Sequence, residues 1–266
     1  MVYRSPRITV MVRAAEKAAR SLKRDFGEVE NLQVSKKGPA DFVSTADLKA
    51  EKILIDELKW ARPEFGFLTE EAGVEKGESQ DERWIVDPLD GTTNFLHGLP
   101  HFAISIALEV RGEIVAALIY DPIKDEMFTA EKGKGAFLND KRLRVSARVS
   151  LDSVVVATGA PYLGHGDRGP FLREINAVMA QTAGIRRWGA AALDLAYVAA
   201  GRYDAFWERD LSSWDVAAGM LIVSEAGGAV TQIDGRQFKH DNKSILCANI
   251  DLHPKMVKLF KDAGKD

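Results

Sequence analysis

Residues 84–95 read WIVDPLDGTTNF, two carboxylates set between an apolar run and a small polar turn. Trp84, Ile85 and Val86 predict a buried strand. Asp87 follows, and Pro88, with no N–H to give a ladder, is expected to close the strand. Asp87 and Asp90, three apart around Pro88, make a poor core and a good cradle for a hard cation, which takes oxygen ligands. Gly91-Thr92-Thr93 then offers backbone N–H groups at an expected helix start, a place where phosphate is well held. The pattern points to divalent metal beside phosphate. Asp is also a common turn residue, so this reading requires further acid elsewhere in the chain.

Two other segments supply it. Residues 65–73, FGFLTEEAG, alternate apolar side chains and then end in Glu70-Glu71 and a glycine, which predicts a second strand presenting a carboxylate at its end. Residues 212–228, SSWDVAAGMLIVSEAGG, open with serines suited to capping a helix and place Asp215 in its first turn. Asp at that position also suits the helix dipole, and Trp214 beside it reads as a packing residue. Met220, Leu221, Ile222 and Val223 give the helix its apolar body.

WIVDPLDGTTNFLH (84–97) and WDVAAGMLIVSEAGG (214–228) together resemble the two signature stretches of the inositol monophosphatase family of metal-dependent, lithium-sensitive phosphatases. Their order, their spacing and the upstream Glu70 fit as well, and the likeness runs over nearly the whole chain. Within the family it is similar to the bacterial inositol-1-monophosphatases of the suppressor-protein type. The resemblance implies an α+β fold, the layered α-β-α-β-α sandwich of inositol monophosphatases and sugar phosphatases. It implies one domain over residues 1–266, with an antiparallel-sheet lobe over about 1–150 and a mixed α/β lobe over about 151–266.

The rest of the chain agrees with a globular enzyme. Its 266 residues suffice for a substantial core, and 46% apolar and 28% charged side chains are ordinary for a soluble protein. Thirty-six basic and 39 acidic residues give a net charge of −3, which leaves no broad footprint for nucleic acid. Cys247, the single cysteine, allows no intrachain disulfide and fits a reducing compartment. The apolar start ITVMV is too short for a signal core, and no run approaches a membrane span. A cytoplasmic protein is expected.

Periodicity predicts helices over about 8–25, from Ser44 to Trp60 ahead of Pro63, and over 171–184, 189–201, 212–226 and 253–264, with strands around them. Ser44 and Asp47 have the spacing of a capping box. The polar, Lys-bearing stretch NLQVSKKGPADFVST (31–45) predicts an exposed loop or mobile hairpin, and the change from a strand meander to alternating strands and helices after Ser150 predicts layers.

Glu70, Asp87, Asp90 and Asp215 form an all-oxygen donor set with no competing His or Cys cluster, which favours Mg²⁺ or Mn²⁺ over zinc. By resemblance, Glu70, Asp87 and the backbone carbonyl of Leu89 bind a first Mg²⁺, and Asp87, Asp90 and Asp215 a second, with Glu70 reaching a third through water. The resemblance further places Thr92 beside the attacking water, its hydroxyl linked to Asp47, with Glu70 helping to take the proton. Gly91 and Thr92 hold phosphate through backbone N–H groups. On residue type alone, Thr92 is equally an N-terminal helix residue and Asp47 a capping acid. Lys36 and Lys37 are adjacent candidates for the family's mobile-loop lysine, and their spacing to Asp41 does not choose between them.

Glu208 matches the family position where a carboxylate accepts hydrogen bonds from ring hydroxyls, a role that suits a polyol. Gly189, Ala190 and Ala191 match the segment whose backbone meets inositol; relatives often carry Ser or Thr where Ala190 stands, so the contact there falls to the backbone. Thr93-Asn94 stands where relatives acting on adenosine bisphosphates or histidinol phosphate tend to have Lys, which favours an inositol-type substrate. Fructose 1,6-bisphosphate or a broader set of sugar phosphates is the enzymatic alternative. A regulatory scaffold contacting transcription or RNA-processing machinery is the alternative of another class. The resemblance also implies a homodimer.

Overall fold

The computed structural model describes residues 4–28, 34–38 and 41–265. Helix α1 (Pro6–Phe26) starts where Ser5 Oγ accepts from the Ile8 N–H at 3.3 Å, with Pro6 at a position whose missing N–H costs nothing. Its buried stripe is Ile8, Met11, Val12, Ala15, Ala18, Ala19 and Leu22. The expected hairpin is present as β1 (Val34–Gly38) and β2 (Asp41–Ser44), paired antiparallel. The backbone of Lys36 and Lys37 runs in β1; their side chains lie outside the described residues. Helix α2 (Thr45–Ala61) opens on the predicted capping box of Ser44 and Asp47.

Strands β3 (Gly66–Thr69), β4 (Gly73–Glu75) and β5 (Glu82–Asp90) follow, then the short helix α3 (Thr92–Leu96). The meander continues through β6 (Ala103–Val110), β7 (Glu113–Asp121), β8 (Glu126–Glu131), β9 (Gly135–Leu138) and β10 (Lys141–Arg142). The second half contributes β11 (Val155–Thr158), α4 (Arg168–Gln181), β12 (Gly184–Arg186), α5 (Ala191–Ala199) and β13 (Ala205–Arg209). It ends in α6 (Ser213–Glu225), β14 (Gly228–Thr231), β15 (Ser244–Asn249) and α7 (His253–Ala263).

The first sheet has the order β10-β9-β8-β7-β6-β5-β3-β4 and the second β12-β11-β13-β15-β14. Two features of the first sheet depart from expectation. Its β3/β5 pair is parallel, so the lobe is not wholly antiparallel. The reason is local: β4 turns back along the free edge of β3 and returns the chain to the end where β3 began, so β5 starts from that same end. Nor does Pro88 end the strand. Asp87 pairs with Ser105 and Asp90 with Ala103, so three steps along β5 match two along β6, a bulge that accommodates the proline. Regular alternation would send residues three apart to opposite faces; the extra residue lets Asp87 and Asp90 serve one site.

Three apolar cores separate five layers, the α-β-α-β-α sandwich that the sequence predicts. Helices α1 and α2 cover one face of the first sheet through Leu22, Leu54 and Trp84. Helices α5 and α6 fill the space between the sheets, meeting Ile119 and Phe128 of the first and Phe206 and Cys247 of the second. Helices α4 and α7 cover the outer face of the second sheet around Trp207 and Phe260. The middle layer is tight: a Cβ on Gly219 of α6 would lie 2.4 Å from Leu195 Cδ1 of α5.

Candidate active site

The parallel β3/β5 pair places two strand ends side by side. Thr69 is in register with Val86, so Glu70, just past the end of β3, and Asp87, at the bulge of β5, lie at the same end of neighbouring strands. Asp87 is buried, with Oδ1 accepting from the Leu89 N–H at 2.9 Å. Asp90 is 8% exposed, and its Oδ2 accepts from the Ala192 N–H at 2.8 Å, joining β5 to the start of α5. Asp215 approaches from α6, where its Oδ2 accepts from Ser212 N–H at 2.7 Å in a second capping box. Each of the three Asp carboxylates is thus anchored by backbone N–H.

These carboxylates act on one another. Burial first, then the charges of Glu70, Asp90 and Asp215, hold Asp87 well above the ordinary Asp range. Asp90 is raised by burial and then by Asp215, against the Ala192 N–H bond. Asp215 is pushed up to about 6 by burial, opposed by the Ser212 N–H and Lys243. Among the described residues, no three His, Cys, Asp or Glu side chains are already drawn into a metal-holding group. The donor chemistry nevertheless fits a divalent cation: oxygen ligands only, the three Asp among them anchored to backbone, and mutual repulsion that a cation relieves.

Thr92 opens α3 directly after Gly91, whose φ of 93° takes the chain around the corner. A Cβ on Gly91 would meet the His101 carbonyl at 3.1 Å and Ala190 Cβ at 3.3 Å, so both conformation and space call for glycine. The Thr92 hydroxyl lies 2.9 Å from Asp47 Oδ1 and 3.1 Å from the Leu89 carbonyl, two acceptors for its one proton. Asp47 is fully buried and takes the Ser44 N–H at 2.9 Å and the Ser44 hydroxyl at 2.5 Å on Oδ2. Cap and site partner are therefore one side chain with two oxygens, and burial outweighs these bonds to raise its pKa.

Glu208 enters from β13 on the second sheet. Its carboxylate packs over Gly159, where a Cβ would come within 1.7 Å of Glu208 Oε1. Burial, then Asp215, pushes Glu208 up to about 8, with Arg187 acting in the opposite direction and Asp90 adding to the rise. A cavity of about 310 Å³ is lined by Glu70, Asp90, Gly91, Thr92, Glu208 and Asp215, with Gly189, Ala190 and Ala191 also on its wall. A second cavity of about 330 Å³ shares Glu70, Glu208 and Asp215 and runs outward along β13. Asp47, Asp87 and Leu89 stand behind the wall of these cavities, all nearly inaccessible.

The sequence reading gives no structural role to three neighbours of the site. Asn94 is 6% exposed, and its Nδ2 lies 2.8 Å from both the His101 and Trp188 carbonyls, binding the Gly189 segment to α3. Asp194 of α5 is 1% exposed, its Oδ1 has no hydrogen-bond partner among the described residues, and burial followed by the Glu208 and Asp90 charges keeps its pKa well raised. Tyr162 lines both cavities from a loop without periodic pattern. Asn94 is noted in the sequence only for its bearing on substrate; its packing role and the places of the other two become visible through tertiary contact.

Comparison with known proteins agrees with this geometry. The model of the inositol monophosphatase family matches residues 4–265. The chain is 58% identical over 258 residues to the inositol-1-monophosphatase of Mesorhizobium japonicum, covering 97% of each. It is 46% identical over 248 residues to the Nus factor SuhB of Pseudomonas aeruginosa, covering 92% of each. Among solved structures it is similar to the extragenic suppressor protein suhB of Bartonella henselae, with a TM-score of 0.94, 59% identity, and coverage of 97% of this chain and 99% of that one. With the family model spanning nearly its whole length, the chain belongs to the inositol monophosphatase family.

Proposed function

We propose that the protein is a Mg²⁺-dependent phosphomonoesterase that hydrolyses myo-inositol monophosphate to inositol and phosphate. The observation that carries this is the gathering of Glu70, Asp90, Asp215 and Glu208 on one cavity, with Asp87 buried behind its wall and raised by the charges of Glu70, Asp90 and Asp215. Glu70, Asp87, the Leu89 carbonyl, Asp90 and Asp215 would hold two or three Mg²⁺ per subunit, Mn²⁺ suiting the same oxygen set. Bound there, the metal would acidify a water nucleophile, polarise the phosphoryl group and steady the leaving oxygen, with lithium sensitivity following the family.

The side chains do the remainder. Asp47 directs the Thr92 hydroxyl at the floor of the cavity, and Glu70 accepts the proton given up by the attacking water. The Gly91 and Thr92 N–H groups orient the phosphoryl oxygens. Glu208 accepts hydrogen bonds from hydroxyls of the leaving alcohol, beside the backbone of Gly189, Ala190 and Ala191. Leu99 and Trp188, 52% and 51% exposed, give apolar surface for the homodimer. Among the described residues no helix is long and apolar enough to cross a membrane; free, buried Cys247 supports a cytoplasmic location.

Phosphate release from inositol 1-phosphate, fructose 1,6-bisphosphate, adenosine bisphosphate and glycerol 2-phosphate, with and without Mg²⁺, tests the reading. Mg²⁺-dependent release highest from inositol 1-phosphate is expected, and no release from any ester would end it. The 46% identity to a protein named Nus factor supports a second reading, a contact with the transcription machinery. Failure of all four esters together with binding to purified RNA polymerase complexes would put that reading first.

A further inference from the structure

Tyr162 occupies a place between the two cavities that the proposed chemistry does not use. It lines both, together with Glu70, Glu208 and Asp215. Its loop is a closed turn: Tyr162 N–H donates to the His165 carbonyl at 3.2 Å, and His165 N–H returns to the Tyr162 carbonyl at 3.0 Å. Gly164 and Gly166 take φ of 84° and 76° to make the reversal, values that cost a residue with a Cβ. The two rings stack, with centroids 4.6 Å apart and planes at 29°. A tight turn with a stacked partner fixes the Tyr162 ring, yet the residue remains 45% exposed, so burial in a core is not what the arrangement achieves.

Rigid aromatic surface sharing a cavity with a hydrogen-bonding acid suits a cyclic polyol. Such a molecule has two kinds of surface: a rim of hydroxyls and a flatter face of C–H groups. Glu208, whose carboxylate packs over Gly159 on the same cavity, accepts from the rim. An aromatic ring, with its negative face, receives the C–H groups. We infer that Tyr162, stacked on His165, is a wall of the leaving-group subsite that takes the C–H face of a cyclic polyol and so favours ring alcohols over open-chain ones. The inference rests on the phosphomonoesterase reading and adds to it the residue that distinguishes a ring from a chain.

Steady-state kinetics of Tyr162→Ala, Tyr162→Phe and His165→Ala on inositol 1-phosphate and on glycerol 2-phosphate test it. Tyr162→Ala is expected to raise the KM for inositol 1-phosphate about five- to tenfold, in line with the strength of aromatic contacts. Its kcat should stay within about twofold, and both constants for glycerol 2-phosphate should be unchanged, because the reacting groups are untouched. Tyr162→Phe, which keeps the ring, should behave as the parent, and His165→Ala should fall between. Equal KM changes on both esters, no change on either, or a Phe variant as impaired as the Ala variant would overturn the wall. Parent protein that hydrolyses neither ester would instead remove the phosphomonoesterase reading, and the wall with it.

Discussion

Thr92 Oγ1 and Asp47 Oδ1 stand 2.9 Å apart, joining the corner after β5 to the first turn of α2 across 45 residues of chain. Asp47 cannot give up this bond cheaply, since its other oxygen is committed to Ser44. The pair, with the Leu89 carbonyl as second acceptor, therefore restricts the direction of the Thr92 hydroxyl before any substrate arrives. Thr92→Val keeps the size and removes the hydroxyl, so we expect kcat to fall about 100-fold, the lower range for a lost proton-handling group. The helix cap is spared in that variant, but buried Asp47 Oδ1 loses a donor, so the protein should stay folded with a modestly lowered melting temperature. Near-parental phosphate release by Thr92→Val would remove the pair from the mechanism.

Asp90→Asn and Asp215→Asn separate metal binding from folding. Asparagine retains an oxygen for the Ala192 or Ser212 N–H, so the backbone anchors survive. A ligand that binds only the folded state stabilises it by about 2.7 kcal/mol at a hundredfold excess over Kd. The parent protein should melt at higher temperature as Mg²⁺ is added, and both variants should respond less, since each loses a ligand of the second ion and keeps those of the first. A Mg²⁺-induced shift of parental size in both would show that these acids are not ligands.

Glu208 and Gly159 form one unit of recognition. Glu208→Gln should raise the KM for inositol 1-phosphate more than for an aryl phosphate, because only the former has hydroxyls to donate. Gly159→Ala should act in the same way through displacement, since its methyl would occupy the space of Glu208 Oε1. Matched effects on both substrates in both variants would take Glu208 out of polyol binding.

His101 provides a pH signature at a distance from the metal acids. Burial, then Lys124, lowers its pKa from 6.5 to about 4, with Asp121 acting the other way. Between those values the unfolded chain binds a proton that the folded chain refuses, so this ring's contribution to stability falls as pH drops and is constant above the window. His101→Phe preserves a ring beside Trp188 and Tyr197 and abolishes the titration. Chemical denaturation at about pH 7 and about pH 4.5 should show a smaller acid-induced loss for the variant than for the parent. An equal loss in both would refute the assignment.

Much of the layered fold was legible because its periodic segments are long and its caps are local. Ser44 with Asp47, and Ser212 with Asp215, are short-range devices whose spacing is visible in one dimension. Glu70, Asp87, Asp90 and Asp215 stood out as strand-end and helix-start acids for the same reason. The parallel β3/β5 pairing did not stand out, because β4 is three residues long and only its place at the sheet edge reverses the chain. Pro88 misled as a strand terminator, since a bulge absorbs a missing N–H and local pattern does not announce one. Asn94 and Asp194 acquire their meaning from partners distant in the chain, and Tyr162 from the cavities it shares with Glu70 and Glu208, and a linear reading has no access to those contacts.

The contact of Gly219 with Leu195 in the filling between the sheets has a bearing on the pocket. Glu70, Asp87 and Asp90 belong to one sheet, Glu208 to the other, and Asp215 to the helix sandwiched between them. The gap across which these acids face each other is thus a thickness, set by how closely two helices nest. One added methyl group, outside the linings of both cavities, would act on the site as a shim under one jaw of a vice.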